Sequence, residues 1–231
     1  MDEQAGVPWG LGRISHRTAG ATNYVYDKSA GAGTCAYIID TGIYTAHKEF
    51  EGRATMVKSF VAGSDTDDNG HGTHVSGTIG SKSYGVAKKT KLYGIKVLDS
   101  AGSGAWTDIV SGIQTAVSDS AARSCPNGVV VNMSLGGGKT QTVNDAVAAA
   151  VNAGLFFAVA AGNDGLDYSD TSPASEPSAF AVGASDNTDT LASFSNYGAN
   201  LGVIAPGVDV LSTWNSAGGT NTISGTSMAT P

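Results

Sequence analysis

The chain has 231 residues, of which 14% are charged and 32 are glycine, against a usual charged share of about 25% and roughly half that glycine content. Its 13 Lys and Arg against 20 Asp and Glu give a formal charge of −7. That argues against a nucleic-acid surface, which needs clustered basic residues, and against an electrostatic anchor to acidic lipid. No run of about 18 apolar residues occurs, so no membrane-spanning helix is expected, and 41% apolar residues spread evenly do not have the composition of a disordered segment.

The N-terminal stretch MDEQAGVPWGLGRIS has no basic start followed by an apolar run, so it does not read as a signal peptide. The first strand signal is Cys35–Asp40 (CAYIID). A short helix is predicted over His71–Ile79, then a strand at Leu92–Leu98 and a helix over Thr107–Ala122. That helix places Ile109, Val110, Ile113, Ala116 and Val117 on one face. Strands follow at Val129–Met133, Leu155–Ala160 and Ala179–Ala184, and a helix over Thr142–Asn152 stops at Gly154. Near-continuous apolar strands alternating with helices predict one α/β domain over residues 1–231, with a central, mainly parallel sheet and helices on both faces. In such sheets ligands collect beyond the carboxyl ends of the strands. That rule picks out Asp40, Ser134–Gly138 and Gly162–Asn163 before any motif is considered.

A nucleophilic serine needs a base within hydrogen-bond reach and a carboxylate to fix that base. Of the four histidines, His16 and His47 read as solvated loop residues. His71 and His74 lie in DNGHGTH, a glycine-punctuated turn entering a helix. His71 reads as the base and His74 as a buried structural histidine. A zinc pair is the weaker reading, since the Glu of HExxH and a third ligand are missing. Ser227 sits among small residues in SGTSMATP, near the last residue of the sequence. Too little sequence follows it for the Asp and His that an α/β-hydrolase places after its serine. The order Asp40, His71, Ser227 remains. The sequon Asn132–Met133–Ser134 falls in a predicted core strand and is discounted. Two isolated cysteines, Cys35 and Cys125, read on composition alone as buried thiols, with one disulfide as the alternative.

The stretches DTG (Asp40–Gly42), HGTHVSGTIGS (His71–Ser81), SLGGG (Ser134–Gly138), AAGN (Ala160–Asn163) and GTSMATP (Gly225–Pro231) resemble the subtilisin superfamily of serine proteases. PWGLGRIS, YGVAKKTKL, KVLDSAGSG, SPASEPSAFAVGASD and SFSNYG are similar to the secreted fungal proteinase K group, so the likeness runs over essentially the whole chain. The Asp–His–Ser order is the known subtilisin arrangement. The resemblance implies a secreted serine endopeptidase that needs no cofactor for its chemistry. Ser227 would be the nucleophile, His71 the base, Asp40 its partner and Asn163 the oxyanion donor. Gly102, Ser103 and Gly104 with Ser134, Leu135 and Gly136 would sandwich the peptide. Ser134–Gly136 and Ala160, Ala161 and Gly162 would wall a roomy, uncharged primary pocket suited to large apolar or aromatic residues. Trp106 would cap an outer subsite.

The same likeness pairs Cys35 with Cys125 as a disulfide, and places the protein outside the cell with protein or peptide substrates, as a monomer. Val75 and Phe180 occupy the group's other cysteine positions. Pro177 and Ala179 match calcium-binding carbonyls, but the partner carboxylate position is Gly202, so a structural calcium site is expected to be weakened. A second calcium site would need residues beyond Pro231, with Arg17 near its other half. Members of the family continue beyond the ATP that ends this sequence, so the domain reads as incomplete at its C-terminus and the chain as poorly active. A non-catalytic binding protein of the same fold is the alternative, and a serine esterase a third.

Overall fold

The computed structural model describes residues 1–231. The chain opens with β1 (Asp2–Ala5), α1 (Trp9–Ser15) and β2 (Asn23–Tyr26), where β1 and β2 form an antiparallel pair. It continues through β3 (Cys35–Asp40), β4 (Ala54–Ser59), α2 (His71–Gly80), β5 (Lys91–Lys96), α3 (Trp106–Ala121) and β6 (Val129–Met133). Then come β7 (Gly137–Gly138), α4 (Gln141–Asn152), β8 (Phe156–Ala160), β9 (Thr171–Ser172), β10 (Phe180–Ser185) and β11 (Val203–Pro206). A hairpin of β12 (Val210–Thr213) and β13 (Thr220–Ile223) leads to the short α5 (Thr226–Ala229).

Seven strands form one sheet in the order β11-β10-β8-β6-β3-β5-β4, and every pairing in it is parallel. The chain leaves β3 for one edge and returns, through β6, on the other side. The strand order therefore reverses beside β3, which opens a crevice at the carboxyl ends of β3 and β6. Strand alternation sorts the core into two layers. Tyr37 and Ile39 point to the face covered by α3 and α4, with Ile113, Val143 and Val147. Ala36 and Ile38 point to the face covered by α2 and α5, with Val75, Ile79 and Met228. The sequence-predicted three-layer α/β architecture is the one observed.

The predicted strands and helices all occur, shifted by a residue or two at their ends. The strand read over Leu92–Leu98 stops at Lys96, because the N–H groups of Val97 and Leu98 both turn to the carbonyl of Asp40. His47 is a correction. It is 2% exposed rather than solvated, because its Nε2 bonds the carbonyl of Gly219 at 2.8 Å and its Nδ1 accepts from the Glu49 amide. Asn132 is buried in β6 with its amide donating to Ser134 Oγ. Cys35 and Cys125 are joined in a disulfide.

Candidate active site

Asp40 closes β3 with its side chain fully buried. Its Oδ1 accepts the Thr41 amide at 2.7 Å and lies 2.7 Å from His71 Nδ1, while Oδ2 is buried and bonds nothing. An ionised carboxylate can only accept, so the ring proton belongs on Nδ1 and Nε2 is left as the acceptor. His71 is the first residue of α2, entered through Gly70 at φ 114°. A side chain at residue 70 would run into the Trp214 ring, so the turn holds the loop and helix in contact. The side chain of His71 is one-quarter exposed, on the cleft. Burial pulls its pKa down, but the charge and hydrogen bond of Asp40, with the charge of Asp67, raise it above the ordinary value.

Ser227 stands in the first turn of α5, half-buried. Its Oγ donates to the Ser134 carbonyl at 3.1 Å, and Ser134 Oγ donates to the Ser227 carbonyl at 2.7 Å. This reciprocal pair fastens the turn that carries Ser227 to the end of β6. The hydroxyl is thus directed at Ser134 rather than at His71. Asn163, just beyond β8, is held by its oxygen: Oδ1 accepts both the amide and the hydroxyl of Thr226, at 2.8 and 2.9 Å. The Asn163 amide nitrogen donates to no other group of the protein. Gly162, at φ 107°, makes the turn that brings Asn163 there, and its N–H donates to Thr226 Oγ1.

A cleft of about 540 Å³ runs past His71, Leu98 and Trp106, with Gly102–Gly104 and Ser134–Gly136 along it. Part of the first glycine segment is tied into a turn, since Gly102 and Ser103 donate to Asp99. The N–H and C=O of Gly104 have no such partners. A second cavity of about 590 Å³ shares Gly136 and is rimmed by Asp164, Asp167 and Asp170. Ala160 and Ala161 are buried at the end of β8, in the sheet's own packing. Thr226, Asp67 and these three aspartates were missed by sequence reasoning. Asp67 and Asp164 adjoin quoted motifs and Thr226 lies inside one, but nothing local marked their contacts.

His74 is fully buried, and its Nε2 is shared between the carbonyls of Val210 and Asn221, at 3.0 and 3.2 Å. It is therefore the structural histidine expected. No group of three His, Cys, Asp or Glu is suited to hold a metal. Gly202 supplies no carboxylate to a calcium site on the carbonyls of Pro177 and Ala179, and a Cβ there would meet the ring of Phe180.

The profile of the peptidase S8 (subtilase) family matches residues 31–231. The cuticle-degrading protease of Metarhizium anisopliae is 63% identical over the whole chain, which spans 59% of that protein's length. Proteinase T of Parengyodontium album is 57% identical over 99% of the chain and 78% of its own length. A solved cold-adapted subtilisin-like serine proteinase superposes with a TM-score of 0.92 at 41% identity, over 98% of this chain and 82% of the other. A seven-stranded parallel sheet flanked by helices, superposing this closely, is a subtilisin-like fold. The chain belongs to the subtilase family.

Proposed function

We propose that this chain carries the catalytic centre of a serine endopeptidase. Ser227 Oγ attacks the scissile carbonyl as His71 Nε2 takes its proton. The C–N bond then breaks as His71 returns that proton to the leaving amine, and water releases the acyl group by the same route. Asp40 keeps the Nδ1 tautomer and favours the charged ring. The Asn163 amide and the backbone N–H of Ser227 receive the oxyanion. The observation that carries this reading is the 2.7 Å Asp40–His71 contact on a cleft that also holds Ser134, the partner of Ser227.

The free backbone groups of Gly104 and the small Ser134–Gly136 segment suit a peptide added as an extra strand between them. Large apolar or aromatic residues before the cut suit the small Ser134–Gly136 segment that lines the cleft. The Cys35–Cys125 disulfide suits an oxidising, extracellular setting, and no helix is long and apolar enough to cross a membrane. Treatment with a fluorophosphonate, followed by peptide mapping, tests the reading. Modification of Ser227 that His71→Ala abolishes, with hydrolysis of a chromogenic peptide ending in Phe or Leu, is expected. A folded chain that neither labels at Ser227 nor cleaves the peptide would overturn it.

A further inference from the structure

Asp67 is a buried carboxylate that the roles above do not use. It is 3% exposed, and no cation pairs with it: the ion pairs of the protein involve other acids. Five neutral donors surround it instead. Oδ1 accepts from Thr41 Oγ1 at 2.8 Å, the Asn69 amide at 3.1 Å and the Gly70 amide at 2.8 Å. Oδ2 accepts from the amide and hydroxyl of Thr73, at 2.9 and 2.6 Å.

These donors come from the two segments that carry the Asp40–His71 pair. Thr41 follows Asp40 and gives it its amide. The same Thr41 hydroxyl that donates to Asp67 accepts the amide of Gly72, the residue after His71, at 2.9 Å. Thr73 Oγ1, held by Asp67, accepts the amide of Tyr44 at 2.9 Å. The carboxylate thus joins the end of β3 to the first turn of α2 by three routes, and the amides of the helix start point at it.

The charges around His71 can be placed individually. Asp40 bonds its ring. Lys96 is fully buried at the end of β5, with Nζ on the Thr41 carbonyl, the Leu98 carbonyl and Asp68 Oδ1. Its charge is therefore met by Asp68. His74, on α2 itself, stays neutral by burial. Asp67 is left as the one charge of the group with no counter-ion, and it is buried, where charges are screened less than at the surface.

We propose that Asp67 is a positioning residue for the reaction: it locks the start of α2, and so the ring of His71, against Asp40, and its unpaired charge favours the imidazolium form. This rests on the serine-endopeptidase reading for its kinetic consequence, not for its effect on the ring. The direction of the His71 shift, to which Asp67 contributes after Asp40, agrees with it.

The test compares wild type, Asp67→Asn and Thr41→Val, each checked for folding by circular dichroism. Two NMR readouts need no turnover: the titration midpoint of labelled His71, and the low-field Nδ1–H resonance of its bond to Asp40. Asp67→Asn removes the charge at constant size, and is expected to lower the midpoint by on the order of one unit. Thr41→Val keeps the charge but cuts the bridge to Gly72. The Nδ1–H line is expected to broaden by exchange while the midpoint stays near wild type.

Where peptide is cleaved, both variants are expected to lose about tenfold or more in kcat with little change in KM, and the acid limb of kcat/KM is expected to move down only in Asp67→Asn. An unchanged His71 midpoint in folded Asp67→Asn overturns the electrostatic half. Should that variant not fold, an unchanged Nδ1–H line in Thr41→Val overturns the positioning half. A wild type that cleaves nothing but shows both NMR effects sinks the protease reading and leaves this one standing.

Discussion

Thr226 shows how one side chain can set the chemistry of its neighbour. It is fully buried, and its amide and hydroxyl both donate to Asn163 Oδ1 while its hydroxyl oxygen accepts the Gly162 N–H. An amide held by its oxygen must present its nitrogen on the other side, which is the orientation an oxyanion donor needs. Asn163→Asp, isosteric but without donors, is expected to lower kcat by about 10² to 10³ with KM little changed. Thr226→Val removes the hydroxyl donor but keeps the backbone one, so Asn163 is held less firmly and a smaller fall in kcat is expected. Kinetics on a chromogenic peptide separate the two, and equal losses would show that Thr226 acts on more than the amide. The raised pKa of His71 adds a pH signature. The free base is required, so kcat/KM is expected to fall as pH drops through a value above the ordinary 6.5 of histidine.

At the scale of elements, the contact of α2 with the β12–β13 hairpin decides where Ser227 sits relative to His71. Ser212 Oγ and Thr213 Oγ1 donate to the carbonyls of His74 and Thr73. Gly77 lets the hairpin approach, since any side chain there would meet those two hydroxyls. His74 completes the seam, and burial pushes its pKa down to about 4. Its folded value lies below the unfolded 6.5, so protons bind the unfolded chain first as pH falls. Stability is unaffected by this group above about pH 7. Between pH 7 and pH 4.5 it is expected to cost about 2 kcal/mol, partly offset by His71, whose raised pKa has the opposite sign. Urea midpoints at the two pH values check this. A His74→Gln variant should be less stable at pH 7 yet lose less on acidification.

The same seam shows what could be read from the chain. The inner strands were legible because both their faces are buried and their sequences are nearly all apolar. The sheet's outer strands were not: β4 (ATMVKS) carries polar residues, and β11 (VIAP) is short and ends in proline. Asp40, His71, Asn163 and Ser227 stood out because each sits in a local motif at a strand end or helix start. Asp67 lies beside a quoted motif and Thr226 inside one, yet neither stood out, because their bonds to Thr41 and Asn163, 26 and 63 residues away, leave no local mark; His47 was misread for the same reason. The partner of His47 is 172 residues away, and nothing near it in sequence announces the contact.

At the scale of the whole molecule, the site and the covalent cross-link occupy opposite ends of the central strand. Cys35 starts β3 and Asp40 ends it, about 16 Å apart along the strand at its usual rise. The disulfide ties that start to Cys125, in the loop after α3, closing a separation of 90 residues. A loop of this length is expected to contribute about 4 kcal/mol, chiefly by restricting the unfolded chain. The folded cleft is lined by none of the atoms involved. Stability and chemistry should therefore separate in the double variant Cys35→Ala, Cys125→Ala. Its melting temperature is expected to fall by roughly 8 to 16 °C for a domain of this size. Fluorophosphonate labelling of Ser227 at 25 °C, with the chain still folded, should keep its wild-type rate. A melting temperature within a degree or two of wild type would mean the unfolded chain is restrained by something other than the bond. A lost labelling rate in a folded variant would mean instead that strain at the amino end of β3 reaches Asp40 through the strand.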